Sequence, residues 1–198
     1  MSETVAAGGG GDEGEKIEGG KEEGVDEEDE LFATAPRRPR RLFGYDWAGG
    51  YVSPFRQTSE EVADKIMQMA GVAAGSVVVD LGSGDGILLV AAAKRGARAV
   101  GVELSRDLNA AAMQRAADAG VGSMVEVDVL KVIEKKKSST SSRQLVAMYL
   151  LPEILQKLKP KFLQWLQEGI DVVTVRWRVA DFEVVNDGEV DGFWMYAR

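Results

Sequence analysis

The chain contains no cysteine and no histidine. That excludes disulfides, Cys/His zinc sites, cysteine nucleophiles and histidine general bases, and with them triad hydrolases and most metalloenzymes built on imidazole. No metal site is expected. Chemistry must run on carboxylates, tyrosine, lysine, backbone groups or a reactive cofactor. There is also no run of about 18 apolar residues, so no transmembrane helix is expected. The N-terminal stretch is acidic and lacks an apolar h-region, which argues against a secretory signal and against an Arg-rich transit peptide.

Charge is unevenly placed. The net charge is −8, yet residues 1 to 30 hold twelve Asp or Glu against Lys16 and Lys21, so this segment alone carries −10 and the rest of the chain +2. With eight glycines and few large apolar residues, the segment cannot bury enough surface to offset its ordering entropy, and disorder is expected. Pro36-Arg37-Arg38-Pro39-Arg40-Arg41 reads as an extended, solvated linker. The expected organisation is an acidic tail and basic linker over 1–41 and one folded domain over 42–198. A near-neutral domain offers no electrostatic case for a nucleic-acid groove.

The domain is organised around Val77-Val78-Val79-Asp80-Leu81-Gly82-Ser83-Gly84-Asp85-Gly86. Three valines, an acid and then alternating glycines read as a buried strand that turns tightly into a helix. Before it, Thr58-Ser59-Glu60-Glu61 has capping-box spacing, with Thr58 as the expected cap of a helix that carries Val62, Ile66 and Met69 and ends at Gly71. After it, the pattern predicts a helix over 87–95, a strand over 99–104, a helix over 106–119 capped by Ser105, and a strand over 124–129. A solvated loop follows over 131–143, then a strand over 145–150. The helical pattern of 153–168 should be broken in two by Pro160. A fifth strand is expected over 170–177. Asn186-Asp187-Gly188 suggests a terminal antiparallel pair of 182–185 with 193–197. The whole is an α/β doubly wound, Rossmann-like sheet, mostly parallel with an antiparallel C-terminal edge hairpin, and ligands bind such sheets at the carboxyl ends of the strands.

The ligand is narrowed by charge. The NAD fingerprint wants G-x-G-x-x-G, but Gly82, Gly84 and Gly86 are followed by Ile87 and preceded by Asp80, whose carboxylate would repel a diphosphate. No Gly-Lys-Ser/Thr follows, so this is no Walker loop. S-adenosyl-L-methionine fits: a strand-end acid favours its sulfonium and amino group, and backbone N–H groups can hold its carboxylate. Glu103, near the end of the second strand, is placed to accept from both ribose hydroxyls, and Asp128, near the end of the third, to accept from the adenine amino group.

On Val78-Val79-Asp80-Leu81-Gly82-Ser83-Gly84-Asp85-Gly86 the chain resembles class I S-adenosylmethionine-dependent methyltransferases. More narrowly it is similar to the small protein-lysine methyltransferases that act on the adenine nucleotide translocase and on the c subunit of ATP synthase, and to their bacterial relatives. The similar features are Tyr51-Val52-Ser53-Pro54, the glycine loop, Gly101-Val102-Glu103-Leu104 and Tyr149-Leu150-Leu151-Pro152, and the likeness covers roughly 51–178. The sequence departs from that family at Ile87, where an Arg is usual, at Thr174-Val175-Arg176-Trp177 after the fifth strand, and at the N-terminus, where an acidic tail replaces an apolar anchor. The resemblance implies cofactor contacts from Tyr51, Asp80, Gly82, Ser83, Gly84, Asp85, Gly86, Glu103, Leu104 and Asp128.

The expected reaction is methyl transfer from S-adenosyl-L-methionine to a lysine of a protein substrate, in which proximity and orientation supply about 7–11 kcal/mol of the barrier. An apolar pocket would favour the neutral amine. Asp85 and Tyr149 are the candidates for positioning that amine, with a contact to the cofactor's amino-acid end the other role open to Asp85 and core packing the other open to Tyr149. The alternatives are a small-molecule or nucleic-acid methyltransferase and a non-catalytic cofactor-binding module. A protein partner is expected and a nucleic-acid partner is not. The expected compartment is the cytoplasm, the mitochondrion being implied by the resemblance alone.

Overall fold

In the computed structural model the residues described are 41–42, 45–46, 53–127 and 143–197. The acidic tail, the loop over 131–142, Tyr51 and Asp128 lie outside them. A two-residue ladder, β1 (Arg41–Leu42) with β2 (Tyr45–Asp46), precedes the main body.

The main body is a six-stranded sheet. Its strands are β3 (Val77–Leu81), β4 (Arg98–Val102), β5 (Val125–Val127), β6 (Gln144–Met148), β7 (Asp171–Val175) and β8 (Phe193–Tyr196), in the spatial order β5-β4-β3-β6-β7-β8. All neighbours are parallel except β7 and β8. The order reverses at β3, which has β4 on one side and β6 on the other, and a crevice opens at the carboxyl ends of the strands at such a switch point.

Alternation along the strands builds two cores. Val78, Ala99, Leu145, Ala147, Val173, Phe193 and Met195 face α1 (Glu60–Met69), α2 (Ile87–Ala93) and α3 (Arg106–Asp118). Val146, Met148, Val172 and Tyr196 face α4 (Pro152–Gln167). Period-two burial on both faces is what parallel strands covered by helices require. Every residue of α2 is buried, in keeping with a helix apolar nearly all round.

Three local expectations are corrected. The cap of α1 is Ser59, whose Oγ accepts from the Val62 N–H at 3.2 Å, while Thr58 is buried. α4 runs unbroken through Pro160. Proline there removes one helical hydrogen bond, but Leu155 on one side and Phe162 and Trp165 on the other bury into the same core, and packing outweighs local propensity. The antiparallel partner of β8 is β7, not 182–185, which gives one backbone bond from Val185 N–H to the Met195 carbonyl at 2.9 Å. Asp187 instead caps α5 (Gly188–Asp191), accepting from the Glu189 and Val190 N–H groups. Tyr196 ties this corner down: its hydroxyl accepts from the Val179 N–H at 2.8 Å, and its ring meets Phe162 edge-on at 5.9 Å.

Candidate functional site

A cleft of about 290 Å³ opens at the carboxyl ends of β3, β4 and β6, and Asp80 lies at its floor. In the sheet Asp80 stands opposite Gly101 of β4 and Ala147 of β6, and the space beside Gly101 is taken by the Ser83 and Leu89 side chains. At Gly101 an added Cβ would stand 2.5 Å from Ser83 Oγ. Asp80 is 2% exposed, and its Oδ1 has no hydrogen-bond partner among the described residues. Burial, and then the nearby Glu103 and Asp85 carboxylates, push its pKa up to about 8. A buried carboxyl beside two other acids holds its proton at neutral pH, and a cation placed against it would favour its ionised form.

The glycine loop is held from both sides. Gly86 caps α2 in the left-handed region, at φ 78°, and an added Cβ there would lie 2.7 Å from that of Ala112 in α3. Only glycine combines that φ with so close an approach. At Gly84 the neighbour is the Phe55 ring, 2.6 Å from a would-be Cβ. Glu103, one residue beyond β4, grips the loop: its Oε2 accepts from the Gly84 N–H at 2.9 Å and its Oε1 from the Ser105 N–H at 2.9 Å. Each oxygen keeps a second lone-pair direction for a ligand hydroxyl. Ser105 in turn caps α3 through the Leu108 N–H.

Asp85 is engaged elsewhere. Its Oδ2 accepts from Arg115 Nη2 at 2.6 Å and from Gln57 Nε2 at 2.8 Å. Tyr149, one residue beyond β6, lines the cleft beside Leu150 and also packs against the core, so the two roles expected of it share one side chain.

Asp80, Gly82, Ser83, Gly84, Asp85, Glu103 and Tyr149 thus converge on one cleft. Leu104 does not line it and is 45% exposed, and Gly86 lies beneath the loop against Ala112. Tyr51 and Asp128 fall outside the described residues. Pro54, Phe55, Thr58, Ser105 and Leu108 also line the cleft, and Gln57 and Arg115 brace Asp85. The signal for Ser53 to Phe55 lies in the segment that follows Tyr51; nothing local in the sequence marks Arg115. Among the described residues no cluster of acids could hold a metal ion, and no helix is long and apolar enough to cross a membrane.

Residues 80–186 match the family model of the ANTKMT methyltransferase domain. The chain is similar to a protein-lysine N-methyltransferase of Saccharolobus islandicus, 30% identical over 70% of this chain and 88% of that protein. It is also similar to the human lysine N-methyltransferase named for the c subunit of ATP synthase, 28% identical over 72% of this chain and 60% of that protein. Among solved structures it is similar to an RNA methyltransferase of Salinibacter ruber in complex with S-adenosyl-L-homocysteine, with a TM-score of 0.60 and 33% identity over 71% of this chain and 91% of that one.

Proposed function

The chain belongs to the ANTKMT methyltransferase domain family, and from that premise we propose that it transfers a methyl group to a lysine side chain of a protein substrate. S-adenosyl-L-methionine is the cofactor. The observation that carries the reading is Asp80, a buried carboxyl at the topological switch point with an oxygen that has no partner among the described residues. Its place suits a cationic ligand end, and Glu103, one strand away, suits vicinal hydroxyls.

When bound, the cofactor would supply an electrophilic methyl group carried on a sulfonium. The chain's own residues bind, orient and exclude water. Asp80, ionised by the adjacent cation, neutralises it. Gly82 and Gly84 bring backbone close to the ligand without side chains in the way. Glu103 fixes the loop through the Gly84 N–H and offers its remaining lone pairs to the ribose. Asp85, braced by Arg115 and Gln57, keeps the loop's shape. Leu88, Leu108 and Leu150 supply apolar wall. Tyr149, which lines the cleft, is assigned to the incoming amine, from which its hydroxyl would accept or to which it would donate. Alignment of this kind accounts for most of what such a transfer needs.

The protein-lysine substrate is supported by the relatives in Saccharolobus islandicus and human, which carry that activity in their names. RNA is the second reading, favoured by the Salinibacter ruber structure. Incubation with methyl-labelled cofactor and cell extract separates the two. The proposal expects label that survives nuclease and is lost to protease; the reverse pattern would establish the RNA reading instead.

A further inference from the structure

A second cavity, of about 460 Å³, adjoins the cofactor cleft and shares two walls with it, Thr58 and Tyr149. Its other walls include Val175 and Arg176 at the end of β7, Glu189 of α5, and Trp194 of β8. Tyr149 and Arg176 each stand one residue beyond a parallel strand, so this cavity occupies the same rim of the sheet, displaced by one to two strands from Asp80.

The wall formed by α5 is rigidly placed. Gly188 lies so close under the Trp194 ring that a Cβ there would stand 2.1 Å from it. Asp187 caps the helix, accepting from the Glu189 and Val190 N–H groups at 3.2 and 3.3 Å. Asp191 binds Lys65 at 2.5 Å and Asn186 at 2.9 Å. Of the three acids in this turn, two are therefore used in holding it, and the exposed Glu189 carboxylate borders the cavity with no hydrogen bond or ion pair among the described residues. Arg176, also on the lining, adopts a left-handed φ of 69°, and its guanidinium lies 5.6 Å from the Trp177 ring centre. Strained non-glycine backbone of this kind persists where the surroundings over-determine it.

The geometry points to this cavity as the acceptor channel, which takes a primary alkylammonium on a flexible methylene chain, a lysine side chain, with Glu189 as the residue that selects its charge. The inference rests on the methyltransferase reading above. The exposed Glu189 carboxylate attracts the protonated amine, the Arg176 guanidinium of the same lining being engaged with the Trp177 ring, while Tyr149, Val175 and Trp194 give the methylenes apolar and aromatic surface. Where the two cavities meet, at Thr58 and Tyr149, the amine gives up its proton to solvent. The neutral amine is then the species whose lone pair forms the new nitrogen–carbon bond, leaving a methylammonium and a neutral thioether.

The test uses three analogues of S-adenosyl-L-homocysteine in which nitrogen replaces sulfur: one bearing a methyl group, one a four-carbon arm ending in an ammonium, and one an arm of equal length ending in a methyl. Binding of each to the full chain and to Glu189→Gln is measured by calorimetry. The inference expects both arms to bind more tightly than the methyl parent, the ammonium arm to exceed its apolar twin by about tenfold, and that excess to fall to about twofold in Glu189→Gln. Binding of the parent should be the same in both proteins, which also shows that the variant is folded. Arms that add nothing over a parent that binds, or an ammonium preference that survives Glu189→Gln, would overturn the inference while leaving the methyltransferase reading intact. Failure of the parent itself to bind would overturn the cofactor reading on which both stand.

Discussion

Arg115 holds Asp85 at two points, with Nη2 2.6 Å from the carboxylate and Nε 3.0 Å from the main-chain carbonyl. The pair ties the last turn of α3 to the residue just before the Gly86 cap of α2, so the shape of the glycine loop depends on a side chain 30 residues away. A charge-assisted bond is worth roughly 1.5–3 kcal/mol. The Arg115 side chain is 31% exposed, and solvent screening brings the expectation to about 1 kcal/mol. Arg115→Leu should therefore weaken cofactor binding about fivefold to tenfold, with Arg115→Lys recovering part of the loss. Calorimetry on both variants checks this, and unchanged affinity in Arg115→Leu would show that the loop holds its shape without the brace.

Asp80 makes cofactor binding depend on pH, and the sign follows from its raised pKa. The carboxyl keeps its proton below about 8, whereas a cation binds to the carboxylate. Binding therefore expels a proton below that pH, and affinity should rise from pH 6 towards pH 8, by up to about tenfold per pH unit, and then level off. Folding follows the same logic. Between the ordinary value of 3.8 and about 8 the folded chain holds a proton that the unfolded chain has released, so this group costs the fold nothing below the window, progressively more as pH rises through it, and its full amount above it. Asp80→Asn should bind the cofactor weakly and with no slope arising from this position. Titrations in buffers of different ionisation enthalpy read the proton directly.

Glu103 combines two tasks, bracing Gly84 and Ser105 and facing the ligand. Glu103→Gln keeps an acceptor oxygen but loses the charge and one of the two braces, while Glu103→Ala loses both. The expected losses of cofactor affinity are about tenfold for Gln and about a hundredfold for Ala. Equal losses in the two variants would show that the charge, which both lose, and not the brace that Gln retains, sets affinity.

Much of this site was legible in the sequence. The strand–glycine–helix unit and the acids at two successive strand ends are local patterns, and the structure brings Asp80 and Glu103 to one cleft. The succession of strands alternating with helices likewise announced the parallel sheet. Arg115, Gln57 and Phe55 were not legible in their roles, because each meets the loop through tertiary packing that leaves no periodic trace. Elsewhere a local signal was outweighed: Asn186-Asp187-Gly188 has hairpin chemistry, but β7 offers β8 a longer pairing surface than 182–185, and the Asp187 side chain serves a helix instead.

Pro160 is the clearest such case and yields its own prediction. It sits in the middle of a 16-residue helix without dividing it, at the expense of one backbone hydrogen bond. Pro160→Ala restores the donor and removes the ring's clash with the preceding turn. The expected gain is about 1–3 kcal/mol, seen as a higher melting temperature with cofactor binding unchanged. A lower melting temperature would mean that the proline ring packs to greater effect than its backbone costs.

At the centre of the proposed activity is a carboxylate at the end of β3 that serves methyl transfer onto a lysine. The most direct test is peptide mass mapping of protein acceptors after incubation of cell extract with the cofactor and either the natural chain or Asp80→Asn. The predicted result is methyl increments on lysine side chains that depend on the natural chain and vanish, or nearly so, with Asp80→Asn. Lysine methylation that does not depend on the natural chain, or that is undiminished in Asp80→Asn, would contradict it.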